Sequence, residues 1–397
     1  MQSNATQNNE NFKMWLGVIA ISLGAFILNT SEFVPVGLLS LIANDFKMSD
    51  SSVGLMISIY AYIVSLVSLP LMMLFSKMEL KRLMLLILGV FVISHIFSSL
   101  ATNYEALLAS RIGVALSHAL FWSIAIPIAV RIVPKNKQSL ALSLVATGTA
   151  IAFIGGIPLG RVIGLWLGWR VSFLCIGILA FLILLLVAYS VPKLPSNGGF
   201  SIRLLPKLLS NKALLFVYAL TILLTTAHFV GYTYIEPFLK THANFTQNHI
   251  TLTLVAFGAV GFLGSFLFTK YFDKNRIIFS NIAIFGITFS LFALWLCSLN
   301  PFLAVFICVA WGLCITFFNL TFQSKIIHLV PQHTSIAMSM FSGIYNIGIG
   351  SGAFLGKITI DKINVSSIGI IGGLIALIAC MLFIMVKSKL YLSNTHQ

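Results

Sequence analysis

The chain has 397 residues, 59% hydrophobic and only 8% charged, with a mean hydropathy of +1.02 and a formal net charge of +15. A soluble domain carries about 25% charged residues to cover its surface, so a water-soluble globular protein is excluded and a bilayer is the matching solvent. The basic excess lies in short segments between apolar runs, without a basic–aromatic groove pattern. That excludes a nucleic-acid partner and makes the charge a topology signal.

The first residues are polar, and an apolar run begins at Met14. It is longer than a signal-peptide core and lacks a small-residue cleavage site, so it is predicted to be the first span. Each crossing needs about 20 apolar residues. On that rule spans one to six are predicted at 14–42, 51–75, 82–100, 104–131, 139–166 and 171–191. Spans seven to twelve are predicted at 213–239, 249–270, 276–298, 301–328, 335–360 and 366–386. Between the two sets lies a polar stretch, Pro192 to Lys212, with the breaker cluster Pro195-Ser-Asn-Gly-Gly199. The predicted fold class is an all-α membrane protein of twelve transmembrane helices in two pseudo-symmetric six-helix bundles. The expected organisation is a tail (1–13), a bundle (14–191), a linker (192–212), a second bundle (213–386) and a tail (387–397).

The basic residues orient this scheme. With both termini in the cytoplasm, inner segments hold 17 of the 24 Lys and Arg residues, outer loops hold 5, and Arg111 and Arg161 lie within spans. The positive-inside rule therefore places both ends inside.

The halves also repeat. Val133-Pro134 matches Val330-Pro331, Ser139-Leu-Ala-Leu-Ser143 matches Ser335-Ile-Ala-Met-Ser339, and Leu159-Gly160-Arg161 matches Leu355-Gly356-Lys357. The offset stays near-constant across six spans, so the repeats share one orientation. Parallel repeats with a midplane site are a plan of secondary transporters.

Of nine acidic residues, only Glu32 and Glu236 lie inside predicted spans, and each closely precedes a proline. An ionised carboxylate there costs a few kcal/mol on insertion scales, so it is expected to face protein or water and to exchange a proton. The competing use is a helix cap or a structural pair. Span four carries Arg111, His118 and Trp122 at spacings of seven and four, which puts them on one face. Arg111 requires an anionic or carbonyl partner, Glu32 among the candidates, or snorkels to the interface. His118 either titrates with the proton cycle or packs through a hydrogen bond. Trp122 either stacks on a substrate or packs.

Span seven repeats the stripe with His228, Tyr232 and Glu236. Asn29 and Tyr60 in the first half, and Asn319, Gln323, Tyr345 and Asn346 in the second, add neutral donors and acceptors. They suit a neutral polar solute or bonds between helices. Glycines crowd spans five and eleven, among them Gly156 and Gly160 around Pro158, and mark close helix contact with a gate or hinge as the further expectation. The five cysteines lie in apolar runs without metal-ligand spacing. No metal or cofactor is expected, and the expected partners are a small-molecule substrate, protons and the lipid bilayer, with the chain a monomer.

Several stretches resemble the major facilitator superfamily in its drug/proton antiporter branch. They are Arg111-Ile-Gly113 in span four, Gly156-Ile-Pro158-Leu-Gly160 in span five and Gly168-Trp-Arg-Val-Ser-Phe173 before span six. More narrowly, four stretches resemble bacterial sugar efflux transporters of the arabinose-exporter type. These are Asn29-Thr-Ser-Glu-Phe-Val-Pro-Val-Gly-Leu-Leu-Ser40, Arg111-Ile-Gly-Val-Ala-Leu-Ser-His118, Tyr234-Ile-Glu-Pro-Phe238 and Phe341-Ser-Gly-Ile-Tyr-Asn-Ile-Gly-Ile-Gly350. The resemblance implies an exporter of sugars in the bacterial inner membrane; coupling to protons is expected from the charged and titratable residues inside the spans, Glu32, Arg111, His118 and Glu236. A multidrug/proton antiporter and a proton-coupled importer are the alternatives; a channel or a membrane-embedded enzyme lacks a matching motif. The family's charged gate after span two is altered here. Lys77 stands at its aspartate position and Leu80 at a glycine, leaving Glu79 as a replacement acid, whereas the loop after span eight keeps Asp273-Lys274.

Overall fold

The computed structural model describes residues 2–196, 205–298, 300–331 and 334–391, and all regular structure among them is helical. Linker residues 197–204, with most of the predicted breaker cluster, and tail residues 392–397 lie outside the described residues. The helices are α1 (Gln2–Phe46), α2 (Asp50–Leu74), α3 (Leu80–Ser99), α4 (Tyr104–Arg131), α5 (Gln138–Ile151), α6 (Ile157–Leu167) and α7 (Trp169–Ser190). After the linker come α8 (Leu205–Leu209), α9 (Lys212–Tyr232), α10 (Ile235–Thr241), α11 (Gln247–Tyr271), α12 (Arg276–Ala293), α13 (Pro301–Leu329), α14 (Thr334–Lys362) and α15 (Ile368–Tyr391). Eleven helical stretches among the described residues are long and apolar enough to cross a membrane, and α14 occupies the place of the remaining predicted span. Large apolar side chains such as Phe289, Phe302, Phe306 and Met385 stand exposed along these helices. Lipid is the solvent that accepts such a surface.

Two predicted spans are broken where the backbone chemistry demands it. Span five is α5, a widened π-turn over Ala152–Gly156, and α6. Pro158 has no N–H to give the carbonyl four residues back, and Gly155 and Gly156 tolerate the local adjustment. Span seven ends at Tyr232, and α10 restarts at Ile235. Pro237 leaves the Thr233 carbonyl without its helical donor at that break. Glu236 therefore sits in a short separate helix and not in span seven. At the turn between spans five and six, Gly168 takes φ 92°, a left-handed conformation that favours glycine. Arg170 then anchors the turn, donating from Nε (3.0 Å) and Nη2 (2.8 Å) to the Ala101 carbonyl.

The chain divides into two compact units, Met1–Leu41 with Leu66–Phe200, and Ile42–Ser65 with Ser201–Gln397. In the first, α5–α6 lies against α1 through glycines. A Cβ at Gly148, Gly156, Gly160 or Gly164 would come within 2.1 to 2.6 Å of Ser22, Thr30, Val34 or Leu38 respectively. Both series ascend together, so the two helices run parallel. In the second unit α14 lies against α9 in the same manner, with Gly348 on Thr225 and Gly352 on Thr226 and Phe229. The opening half of α2 groups with this second unit. Tyr62 Oη meets Ser351 Oγ at 3.0 Å, Ser65 donates to the Gly343 carbonyl at 2.9 Å, and Gly54 lies directly under the Tyr234 ring. Ser51 Oγ donates to Asp361 at 2.5 Å. Asp361 also bonds Lys357, and the hydrogen bonds from Lys357 and Ser51 hold its carboxyl below the ordinary value.

Glu79 has a local role. Its carboxylate caps α3, accepting from the backbone N–H groups of Lys81 (2.8 Å) and Arg82 (3.1 Å), and it also accepts from Leu194 N–H (2.7 Å). Partial burial works to raise its carboxyl pKa, but the Leu194, Lys81 and Arg82 N–H groups and the Arg82 charge outweigh it, and the pKa falls below 4.5. Replacing Glu79 with alanine is expected to remove about 1 kcal/mol of stability, the usual worth of an N-cap. Because the folded-state pKa is lowered, this contribution is present above pH 4.5 and disappears as pH falls through the lowered value. Thermal midpoints in detergent should therefore differ at neutral pH and converge in acid; equal midpoints at neutral pH would remove the cap from the account.

Candidate functional site

In the first unit the polar side chains of α1 and α4 meet below the surface. Pro35 lies in α1 and has no N–H to give the carbonyl four residues back, which belongs to Ser31. Arg111 takes that carbonyl, donating from Nη2 at 2.9 Å, and its Nη1 donates to the Ser31 hydroxyl at 3.1 Å. Arg111 is 2% exposed and lies 5.6 Å from the Phe173 ring centre. It is therefore held inside the unit by a carbonyl, not drawn to the interface. Glu32 follows Ser31 directly, is 7% exposed, and its Oε2 lies 3.7 Å from His118 Nε2.

Trp122 decides the state of that histidine. Its indole N–H donates to His118 Nε2 at 3.1 Å. Nε2 is then an acceptor and the imidazole is neutral, with its proton on Nδ1. The 3.7 Å approach to Glu32 is accordingly a contact between a neutral ring and a carboxyl group, too long for a hydrogen bond. A proton arriving at Nε2 would have to displace the indole and would convert the contact into an ion pair. Asn29, one turn before Glu32, donates to the Ala25 carbonyl (2.7 Å) and to Thr149 Oγ1 (3.4 Å) on α5.

The second unit holds the remaining predicted residues. His228 stacks on Tyr232 at 5.1 Å, Tyr232 stacks on Phe257 at 5.0 Å, and Trp311 stands edge-on to His228 at 5.0 Å. Trp311 Nε1, His228 Nδ1, Asn346 Oδ1, Thr225 Oγ1 and Thr321 Oγ1 are buried and have no hydrogen-bond partner among the described residues. Asn346 donates its amide to the Ser342 carbonyl at 3.0 Å, leaving the side-chain carbonyl to serve another group. Tyr345 packs near Phe318 and Phe341, with centroids 6.3 and 5.9 Å away. Asn319 and Gln323 are half-buried on α13, Tyr60 is buried on α2, and Glu236 is buried in α10.

The predicted gate and hinge residues separate into two kinds. Gly156 and Gly160, flanking Pro158, are contact points of α6 on α1. Asp273 is exposed and bonds Arg276 three residues ahead at 3.2 Å, and Lys274 is exposed at the same turn. Among the described residues no cluster of His, Cys, Asp or Glu is arranged to hold a metal ion.

Sequence reasoning passed over His95, Ser31, Trp311 and Phe257. His95 is the clearest omission: a lone histidine in an apolar run was the same signal that singled out His118. Ser31 is too common a residue to flag without the proline's missing donor. Trp311 and Phe257 carried no polar pattern, and only packing brings them to His228.

The model of the Major Facilitator Superfamily matches residues 21–336. Solved structures of similar fold include a bacterial homolog of the human lysosomal transporter Spinster, inward-facing and unoccupied. Its TM-score is 0.74 at 14% identity, over 97% of this chain and 98% of that one. A POT family transporter in complex with 5-aminolevulinic acid gives 0.77 at 13% identity, over 95% and 96%. The nucleoside transporter NupG gives 0.71 at 15% identity, over 94% and 99%. With most of its length matched by the family model and its helices those of a multi-pass membrane protein, the chain belongs to the Major Facilitator Superfamily and is a membrane transporter of that type.

Proposed function

We propose that this transporter is a proton-coupled antiporter that exports small polar solutes, sugars foremost, across the bacterial inner membrane, with both termini in the cytoplasm. The observation that carries the reading is Glu32. It is a buried carboxyl group in the apolar stretch of α1, whose other acids, Glu10 and Asp45, lie toward the helix ends, and it is set beside a neutral histidine and the residue that Arg111 grips. A carboxyl so placed binds a proton from one side and releases it when the surroundings change. Net movement of solute is then tied to net movement of protons. The direction, the coupling and the sugar preference draw further support from the Glu32, His118, Tyr234 and Tyr345 stretches that resemble sugar exporters. Inverted membrane vesicles loaded by an imposed inward-acid gradient provide the test. Solute accumulation that collapses when a protonophore is added is the expected result, and accumulation indifferent to the gradient would end the proposal.

The cluster around His228 supports the solute class. A sugar offers C–H faces to aromatic rings and hydroxyls to polar groups; the cluster supplies the rings of Tyr232 and Phe257 and the Trp311 N–H, and the same unit holds a further unsatisfied acceptor in the Asn346 carbonyl. Trp311→Phe keeps the ring and removes only its N–H. It is expected to raise the KM for transported sugar by roughly three- to tenfold, the scale of one hydrogen bond, with little change in maximal rate. An unchanged KM would take Trp311 out of the binding set. The same ring density also suits an apolar drug, so a panel of labelled sugars and antibiotics in the vesicle assay separates the two antiporter readings. A proton-coupled importer is separated in cells, which should accumulate more solute on loss of an exporter and less on loss of an importer.

A further inference from the structure

We infer that His95 is a positioning residue for the proton site: through the Ser31 hydroxyl, its imidazole fixes the Arg111 side chain beside Glu32. The inference rests on the proposed role of Glu32 and extends it to a residue on a third helix.

His95 lies in α3, is fully buried, and is flanked by the Phe91 ring at 4.5 Å and the Phe173 ring at 5.8 Å. Its Nε2 is 2.7 Å from Ser31 Oγ. Its Nδ1 has no hydrogen-bond partner among the described residues. The Ser31 hydroxyl has one hydrogen to give. Arg111 can only donate to it, and the guanidinium does so at 3.1 Å. In the inferred network the hydroxyl hydrogen points to His95 Nε2, which makes Nε2 the acceptor and places the ring proton on Nδ1. The order of donation runs from guanidinium to hydroxyl to imidazole. Each bond polarises the next.

That order explains why a histidine occupies the position. An apolar side chain would fill the space between Phe91 and Phe173 without burying an unpartnered N–H. Histidine accepts that burden and supplies the one acceptor that lets Ser31 face Arg111 with its lone pair. Protonation of His95 would turn Nε2 into a donor and add a second cation near Arg111, so the network holds only while the ring is neutral. Of the charged and titratable groups, Arg111 on α4 shares the Ser31 hydroxyl with His95, Glu32 follows Ser31 on α1, and His118 on α4 lies against Glu32; α7 presents Phe173 and the close-lying Gly177. With Ser31 bonded at both its hydroxyl and its carbonyl, the guanidinium is held at the residue next to Glu32.

Infrared difference spectra of the purified full chain, titrated between about pH 5 and pH 10, read the site without any solute. The signal is the protonated-carboxyl stretch that Glu32→Gln removes. A nearby guanidinium favours the ionised carboxylate, so loosening Arg111 lets the proton stay on to higher pH. In His95→Leu the titration midpoint is expected to rise by about half a unit or more, roughly a threefold tighter hold on the proton. His95→Gln, which places an amide oxygen near the old Nε2 position, is expected to restore the wild-type midpoint. A folded His95→Leu with the wild-type midpoint overturns the inference, and so do equal shifts in the leucine and glutamine variants, which would indicate packing alone. Should His95→Leu fail to fold, Ser31→Ala removes the same link and must show the rise; a wild-type midpoint there is equally fatal. If Glu32→Gln removes no titrating band, the proton-site reading falls together with this inference, whereas a Glu32 band unmoved by the His95 and Ser31 variants removes the inference alone.

Discussion

Replacing Glu32 with glutamine is expected to abolish gradient-driven accumulation while leaving gradient-independent solute exchange in place. Glutamine matches the carboxyl in size and still accepts hydrogen bonds, so α1 keeps its packing against α4 and α5. What it cannot do is release a proton. The loss should reach roughly a hundredfold or more in gradient-driven rate, the scale seen when a proton-transferring side chain is removed elsewhere. Exchange of labelled for unlabelled solute needs no net proton movement and should retain most of its rate. A variant that still accumulates solute against a gradient would show that the proton travels by another group, with Glu236, buried in α10, the next carboxyl to examine. Loss of exchange as well would make Glu32 part of the solute site. The His118 contact sharpens the reading, since His118→Phe removes a neutral partner and should weaken coupling less than Glu32→Gln does.

The second large effect concerns the glycine seams. A methyl group at Gly148 would lie 2.1 Å from the Ser22 carbonyl oxygen, and one at Gly352 would lie 2.5 Å from the Thr226 carbonyl oxygen. These obstacles are backbone, which cannot rotate aside as a side chain does. Gly148→Ala and Gly352→Ala are each expected to destabilise the protein by about 1–3 kcal/mol, the range for forcing extra carbon into a packed contact. Gly155 makes the control, because a Cβ there meets nothing within 4 Å. Gly155→Ala should leave the thermal midpoint in detergent unchanged or raise it slightly. Equal midpoints for all three variants would mean that the helices part readily and that the seams hold nothing.

The helical class and the membrane setting were legible because they depend on composition and run length, and lipid imposes both. The glycine pattern of spans five and eleven was legible for a similar reason: small residues at helical spacing have few other uses in an apolar segment. The breaks inside spans five and seven were harder to read. Proline and glycine announced them, yet a hydropathy window averages across a five-residue π-turn or a two-residue gap and reports one continuous span. The grouping of residues 42–65 with the second unit left no local trace, since it follows from contacts such as Tyr62 on Ser351, nearly three hundred residues apart. At the site, Glu32, Arg111 and His118 stood out because charge is rare in an apolar run. Their geometry did not. That Arg111 grips the backbone next to Glu32, and that His118 accepts from Trp122, depends on side-chain directions that spacing alone leaves open.

Pro35 shows how a binding group arises by subtraction. A membrane interior is poor in acceptors, and each acidic residue added to supply one makes the segment harder to insert. An imino acid in α1 avoids that difficulty. It deletes one donor, and the carbonyl that donor would have occupied becomes an anchor for a buried cation. The helix carries no additional charge into the bilayer, and Arg111 finds its counterpart in the peptide backbone itself, at the one height along α1 where the ladder has an opening.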